Sequence, residues 1–169
     1  RCSINPDIIH GDAYKTRRVN RETNVVVIGA GTAGMEAACT AAEVGCHTWL
    51  LEAKNHVGGL ASDIARLPEK KRIADFPQFM KNRIASLDNL MLQIGKRADV
   101  ASVSALRPHL IVNATGSTPL LPPIEGLREN IDVENGKIFS ITGMIDNLAK
   151  FTHIKGKRIA VVGAGAVGL

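Results

Sequence analysis

The sequence predicts an α/β fold with a parallel sheet, and both its composition and its pattern indicate this class. Apolar residues make up 45% of the 169 residues, aromatic residues only 4%, and glycine occurs 16 times. Short runs rich in valine, isoleucine and alanine are typical of strands that are covered on both faces. Two such runs, at 24–28 and 158–162, lead directly into Gly-X-Gly-X-X-Gly segments. We therefore expect each run to be a buried strand that turns sharply into a helix.

The first βαβ unit is predicted to cover about thirty residues. Residues 24–28 are its first strand. The alanine-rich stretch from Met35 to about Glu43 favours a helix that lies close to the sheet. Gly45 follows where a glycine commonly ends a helix. Residues 47–52 are predicted to be the second strand, with an acidic residue at its end.

The rest of the chain is predicted to continue this alternation of helices and strands. A helix from Asp75 to about Leu87 is indicated by apolar residues near one face, namely Phe76, Phe79, Met80, Ile84 and Leu87. The other expected elements are, in chain order, a turn at 57–60, a short strand at 90–94, a buried strand at 110–114, a linker with three prolines at 117–126 and a short helix at 141–151.

The first glycine segment has the pattern of a dinucleotide-binding turn. Its first glycine permits the tight turn, its second lets the backbone approach a pyrophosphate, and its third lets the helix pack on the strand. Free backbone N–H groups and the dipole at the start of the helix stabilise anionic phosphates. We expect the whole segment to hold the pyrophosphate, that is Gly29, Ala30, Gly31, Thr32, Ala33 and Gly34.

Two further features support this prediction. Glu52 ends the second predicted strand, where an acid accepts hydrogen bonds from both ribose hydroxyls and repels a 2′-phosphate, so FAD or NAD is favoured over NADP. The Gly58-Gly59 pair can bring a second stretch of backbone to the pyrophosphate, although such a pair also occurs in ordinary loops.

The second glycine segment contains Gly163, Gly165 and Gly168 and is predicted to hold NAD(P)H. Two nucleotide sites on one chain are most simply explained by electron transfer between the two nucleotides. The residue that selects NADH or NADPH would lie about twenty residues beyond the segment, so the sequence does not distinguish them.

Other function classes receive little support. The net charge of +5 arises from scattered basic residues, so we expect a solvated surface and no nucleic-acid partner. No apolar run reaches the ~18 residues of a membrane span. Three cysteines without disulfide spacing suit the cytoplasm, and Cys39 and Cys46 are predicted to be buried small residues. The five histidines show no metal-ligand spacing, and we predict no catalytic acid, base or nucleophile.

We expect the chain to be a piece of a longer polypeptide, because it lacks an initial Met and stops at the phosphate turn of its second glycine segment, one residue after Gly168. The predicted organisation is a lead-in at 1–23, a first dinucleotide-binding domain at 24–128, and the linker, first strand and glycine turn of an incomplete NAD(P)H-binding domain at 129–169.

Ala114-Thr115-Gly116, after a predicted strand, resembles the Ala-Thr-Gly segment of two-dinucleotide flavoproteins, where the chain leaves the FAD domain. With the two glycine segments and the lead-in that begins at Cys2, the chain resembles the C-terminal region of iron–sulfur flavoenzymes related to old yellow enzyme. This family includes 2,4-dienoyl-CoA reductase, enoate reductases and trimethylamine dehydrogenase. In the family a Cys-x-x-Cys-x-x-x-Cys run and a fourth cysteine bind a [4Fe–4S] cluster, and Cys2 resembles the fourth. One cysteine cannot hold a cluster by itself.

The resemblance implies a Rossmann-like FAD domain and assigns further contacts. It places the adenosine ribose at Glu52 and Ala53, phosphate and ribityl contacts at Gly59 and Leu60, and a backbone contact to adenine near Val100. The chain departs from many relatives at two positions. Thr32 stands where they have proline, and Leu60 stands where they have a glutamine whose side chain can bind FAD.

The function that the resemblance implies is electron relay from NAD(P)H through FAD and a [4Fe–4S] cluster to FMN. The FMN and a small-molecule substrate would bind in an upstream (β/α)8 barrel of the same polypeptide. An enoate or dienoyl-CoA type alkene reductase is the first hypothesis. Two alternatives stay open, a structural ADP-binding module as in amine dehydrogenases and a simpler NAD(P)H:FAD reductase.

Overall fold

The computed structural model describes residues 17–151 and 153–163. The chain divides into two compact units, which are treated separately below. The described residues of the first unit are 17–62 and 72–116, and those of the second are 63–71, 117–151 and 153–163. The predicted domain bounds at 23/24 and 128/129 stay a prediction.

The first unit is built on a four-stranded parallel sheet. Its strands are β1 (Asn24–Ile28), β2 (His47–Leu51), β3 (Leu90–Gln93) and β4 (Leu110–Asn113), in the order β3-β2-β1-β4. Every neighbouring pair is parallel. The chain moves outward from β1 to β3 and then crosses to the other edge for β4, so the strand order reverses at β1. In open α/β sheets, ligands bind where the order reverses, at the carboxyl ends of the strands.

Helices cover both faces of this sheet, which confirms the predicted α/β fold. Helix α1 (Thr32–Glu43), the short α2 (Gly59–Ile64) and α3 (Asp75–Ala85) follow β1 and β2, and α4 (Val100–Ala105) follows β3. One core cluster joins alternate strand residues such as Val25, Val27 and Leu50 to α1 and α3. A smaller cluster on the other face joins Val26 and Leu51 to Val103 of α4. Neighbouring residues of β1 enter different clusters because consecutive side chains of a strand point to opposite faces of the sheet.

The predicted βαβ unit is confirmed, with small shifts at its ends. The first strand has the predicted bounds, and the helix begins three residues earlier, at Thr32. The predicted turn at 57–60 is wrong at its end, because Gly59 already begins α2. The predicted apolar face of α3 is only partly buried. Met80 is fully buried and Ile84 nearly so, whereas 59% of Phe79 is exposed.

Strand β4 has the predicted position but is not the buried strand that the sequence favoured. More than half of Leu110 and of Ile111 is exposed. Because consecutive strand residues point to opposite faces, both faces of β4 are open at these positions. The strand lies at an edge and pairs only with β1 within the described residues.

The second unit contains only short elements among its described residues. These include α5 (Leu127–Asn130), α6 (Ile141–Asp146) and a 3₁₀ helix at Leu148–Phe151; a longer 3₁₀ helix, Pro68–Ala74, spans the boundary of the two units. No element forms in the predicted linker at 117–126. The predicted strand at 158–162 is wrong, since these residues pair with no strand in the described chain and Ile159, Val161 and Val162 are mostly exposed. A strand is stable only beside hydrogen-bonded neighbours.

Candidate dinucleotide site

The candidate site lies at the carboxyl ends of β1, β2 and β4, where the loops after the three strands meet. Gly29 leaves β1 with φ +99°, a conformation that favours glycine, and its amide donates to the carbonyl of Leu51 at 2.7 Å. A Cβ at Gly29 would come within 2.4 Å of the Ala114 carbonyl oxygen. The missing side chain therefore allows the loops after β1 and β4 to touch.

The other two glycines of the segment differ in what surrounds them. A Cβ at Gly34 would lie 1.8 Å from the Gly29 carbonyl oxygen, so this glycine is needed for the close packing of helix and turn. A Cβ at Gly31 would meet nothing within 4 Å, and its φ of −72° is open to any residue. Gly31 thus borders free space in which a ligand can approach the backbone.

The start of α1 is open to an anion. Gly31 is the residue before the helix, no side chain caps it, and the first turn contains no acidic residue. The amides of Gly31, Thr32 and Ala33 make no hydrogen bond within the part of the chain that the structure describes. The first amides of a helix have no acceptor inside it and carry the positive end of its dipole. Together they form a cradle that fits a phosphate group.

Glu52 is held beside this cradle by the backbone. Its Oε2 accepts the amide of Ala30 at 2.7 Å, and its Oε1 accepts the amide of Lys54 at 2.8 Å. Each carboxylate oxygen keeps a further lone pair. The carboxylate is therefore fixed in position and can still accept hydrogen bonds from the two hydroxyls of a ribose. The Ala30 amide itself is occupied by Glu52, so the first glycine segment offers fewer free donors than its length indicates.

The Gly58-Gly59 pair is brought against the first glycine segment. The Gly58 amide donates to the Ala30 carbonyl at 2.7 Å, and both glycines have positive φ, +101° and +52°. A Cβ at Gly59 would lie 3.0 Å from the Cα of Gly31. Leu60, beyond the pair, is half exposed. The Gly58-Gly59 pair thus brings a second stretch of backbone close to the cradle.

The Ala-Thr-Gly segment contacts the cradle from the other side. Ala114 donates its amide to Ile28 at 2.8 Å and packs against Gly29. Thr115 donates both its amide and its hydroxyl to Oδ1 of Asn113, at 3.3 and 2.9 Å, and Gly116 has φ +80°. Sequence reasoning missed Asn113. Its position directly before the segment, at the end of a strand, is the signal that could have identified it.

The remaining predicted site residues lie elsewhere or outside the description. Ala53 is exposed in the turn after Glu52, and Val100, which is 84% exposed, begins α4 behind an Asp99 cap. Gly163 has φ +113° with nothing within 4 Å of a Cβ. Cys2, Gly165 and Gly168 lie outside the described residues. The binding roles of all these residues stay predictions.

The cysteines and charges near α1 are structural. Cys39 and Cys46 are buried and free, as predicted, and burial raises the pKa of the Cys39 thiol to about 11. The guanidinium of Arg83, on α3, donates two hydrogen bonds to the carboxylate of Glu43, at 2.6 and 2.7 Å, and one to Glu36 at 2.7 Å. These bonds raise the pKa of Arg83 and lower that of Glu43. They fix α1, which carries the cradle, against α3.

In the described part of the chain, no group of three or more His, Cys, Asp or Glu residues could hold a metal ion, and no helix is long and apolar enough to cross a membrane.

Comparison with known proteins agrees with this geometry. Residues 24–99 match the family described as FAD dependent oxidoreductase. The chain is 32% identical over 169 residues to an NADH oxidase of Thermoanaerobacter brockii, and this match covers 99% of this chain and 25% of the relative. It is 37% identical over 116 residues to the N,N-dimethylglycine/sarcosine dehydrogenase of Chromohalobacter salexigens, and this match covers 69% of this chain and 17% of the relative.

Among solved structures, 2-naphthoyl-CoA reductase in complex with 2-naphthoyl-CoA superposes with a TM-score of 0.71 at 29% identity, over 77% of this chain and 20% of that chain. The glycine turn, the open helix start and the fixed carboxylate define a dinucleotide-binding α/β domain. The chain is similar to FAD-dependent oxidoreductases of the enoate reductase and trimethylamine dehydrogenase type, which confirms the resemblance seen in the sequence. It spans a quarter or less of the length of these relatives.

Proposed function

We propose that the described cradle binds the pyrophosphate of FAD and that Glu52 binds the adenosine ribose. The observation that carries this proposal is the open start of α1 beside a carboxylate already fixed by two backbone amides. A dinucleotide needs both features, donors for its phosphates and an acceptor for its ribose, within one loop cluster. The empty space at Gly31 allows the phosphate to reach the amides.

We further propose that the full polypeptide is an NAD(P)H-dependent oxidoreductase in which this region carries electrons. FAD held at this site would supply the chemistry that links two-electron hydride transfer from a nicotinamide to one-electron transfer. The residues of this chain bind and orient the dinucleotide, and none of the described residues is proposed as an acid or base. The match to an NADH oxidase supports this proposal, since it extends over 99% of the chain and so reaches the second glycine segment.

The proposed acceptors are a [4Fe–4S] cluster with Cys2 as one ligand, and FMN in an upstream (β/α)8 barrel. The proposed reaction is the reduction of an alkene of the enoate or dienoyl-CoA type in the cytoplasm. The similarity to 2-naphthoyl-CoA reductase favours an acceptor substrate over an amine donor. NAD(P)H is proposed to bind at Gly163, Gly165 and Gly168.

A second candidate is a structural ADP-binding module without electron transfer. The 37% identity to a dimethylglycine/sarcosine dehydrogenase favours it, because that match covers 69% of the chain and the class of relative is an amine dehydrogenase. A simpler NAD(P)H:FAD reductase is a third candidate, which would leave Cys2 without a role.

The test is an absorption spectrum of the full polypeptide as purified, with nucleotides released by acid and identified. FAD and FMN together above a broad iron–sulfur shoulder, with bleaching on anaerobic addition of NADH or NADPH, would support the relay. FAD alone would favour the simpler reductase. ADP without FAD, and no bleaching by either nicotinamide, would contradict the electron-carrying role and favour the structural module.

A further inference from the structure

We propose that the exposed apolar side of α3 is the surface on which the part of the full polypeptide before Arg1 docks. This inference rests on the longer polypeptide proposed above. Ile73, Phe76 and Phe79 follow one another at a spacing of three, so α3 and the turn before it present them on one side. The exposed fraction is 37% for Ile73 and for Phe76, and 59% for Phe79. Neighbouring exposed apolar side chains, aromatic ones above all, mark an interaction surface.

Helix α3 cannot bury this apolar surface by turning, because its other side is fixed. Met80 is fully buried and Ile84 nearly so. Arg83 donates three hydrogen bonds to carboxylates of α1. A rotation that covered Phe79 would expose Met80 and break these charge-assisted bonds. The cover must therefore come from residues other than the described ones of the first unit.

The place where the chain enters the first unit favours the preceding polypeptide as that cover. The amide of Val19 donates to the carbonyl of Val44 at 2.8 Å, so the chain arrives where α1 ends. Arg18 lines one surface cleft together with Ser86, the residue that ends α3. Seven helical residues, or about 10 Å, separate Ser86 from Phe79. A domain joined to this lead-in is tethered near the apolar surface, and a short tether raises its effective concentration there.

The relatives have enough further chain to supply such a domain. The match to the NADH oxidase covers 99% of this chain but only 25% of the relative. The match to 2-naphthoyl-CoA reductase covers 77% of this chain and 20% of that chain. A polypeptide of similar length therefore has most of its residues outside this chain.

The apolar surface also lies beside the dinucleotide site. A Cβ at Gly58 would lie 3.0 Å from the Cβ of Pro77, in the first turn of α3, and the Gly58 amide is bonded to the glycine segment. A domain that docks on α3 is thus held next to the site, where a partner in electron transfer has to be.

The experiment measures how fast a thiol reagent labels F79C in the full polypeptide, with the rate followed by mass spectrometry on the peptide that contains position 79. Q78C is the matched control, because Gln78 is exposed on another side of the same helix, where it bonds Asn82. We expect F79C to be labelled at least about tenfold more slowly than Q78C at every protein concentration. Equally fast labelling would overturn the inference. Protection that disappears on dilution would also overturn it, since the cover would then be a second copy or a separate protein.

A photo-crosslink identifies the covering segment. Benzoylphenylalanine in place of Phe79 should link to residues before Arg1, and the same group in place of Gln78 should not. A link from position 79 to residues 117–169, or to residues after Leu169, would contradict the proposal. If F79C does not fold, F76C on the same side of α3 repeats the labelling.

The flavin content of the same preparation separates this inference from the proposed function. A protein without FAD in which position 79 is protected would contradict the proposed function and support the docking surface. A protein that holds FAD and is bleached by NADH, but in which position 79 is labelled as fast as position 78, would contradict the docking surface alone.

Discussion

The two regions that precede Gly-X-Gly-X-X-Gly segments have similar sequences and different structures. Residues 24–28 form the central strand β1, paired on both sides, with its three middle residues buried. Residues 158–162 are equally apolar, yet they pair with no strand in the described chain and their large side chains are exposed. The contrast teaches that an apolar run becomes a strand only where neighbouring strands supply hydrogen bonds and helices supply cover.

The first prediction tests this contrast at the two glycines that end the runs, and it has the largest expected effect. Both Gly29 and Gly163 have strongly positive φ, but only at Gly29 would a Cβ strike backbone, 2.4 Å from the Ala114 oxygen. We expect G29A to lower the free energy of unfolding by about 3–5 kcal/mol and G163A by about 1 kcal/mol. Chemical denaturation of both variants measures the difference. Equal losses would show that the positive φ alone determines the loss of stability and that the packing around Gly29 contributes nothing to it.

The second prediction concerns Glu52, whose carboxylate is held by two backbone amides beside the first glycine segment. Gln at position 52 would keep one acceptor oxygen and place an NH₂ group against one of the amides of Ala30 and Lys54. We expect E52Q to cost about 2 kcal/mol of stability and about tenfold in FAD affinity. Thermal unfolding and flavin titration measure the two effects. E52D, which keeps the charge on a shorter stem, is the comparison. An E52Q variant with native stability would show that the two backbone bonds are not made in solution.

The third prediction compares ion pairs within the two units. Arg83 makes three bonds to two carboxylates and is 21% exposed, whereas Arg66 makes one bond of 3.0 Å to Asp146 and is 48% exposed. We expect R83A to lower stability by about 1–2 kcal/mol and R66A by less than about 0.5 kcal/mol. Denaturation curves at two salt concentrations test both. R83K should recover only part of the loss, because lysine cannot form the paired bond. Equal effects of R83A and R66A would contradict the special role of Arg83.

The last prediction concerns an effect confined to alkaline pH, the pH dependence of stability due to the buried thiol of Cys39. Its pKa is raised from 9.0 to about 11 in the folded chain, chiefly by burial. The folded state therefore holds the proton more tightly than the unfolded state. The thiol's contribution to stability is fully present below pH 9 and is lost as the pH rises to about 11. Stability measured from pH 8 to 11 should fall less steeply in C39A than in the wild type. Parallel curves would contradict this assignment.

Much of the first region could be predicted from the sequence because local signals and packing agree there. Val25, Val26 and Val27 favour a strand, Gly29 a turn, and the alanines of α1 a close-packed helix, and the sheet satisfies all three preferences. Agreement between local and global preferences is what makes an element predictable.

The predictions of burial were wrong where tertiary packing or strand pairing decides whether an apolar side chain is buried. Leu110, Phe79 and Ile159 are all apolar and suggested burial, but each is more than half exposed. A sequence window does not show which face of an edge strand or helix is covered. The bonds of Glu52 to the amides of Ala30 and Lys54 could not be predicted either, since they depend on side-chain geometry in loops.

The central claim is that the first glycine segment is a phosphate cradle, and one measurement tests it most directly. G31V places a side chain in the free space beside α1, where a Cβ meets nothing and φ is −72°. The protein should therefore fold normally while the phosphate position is blocked. Titration of the nucleotide-free full polypeptide with FAD should show at least a ~100-fold loss of affinity in G31V, with an unchanged unfolding midpoint. Unchanged FAD affinity in a folded G31V variant would contradict the account.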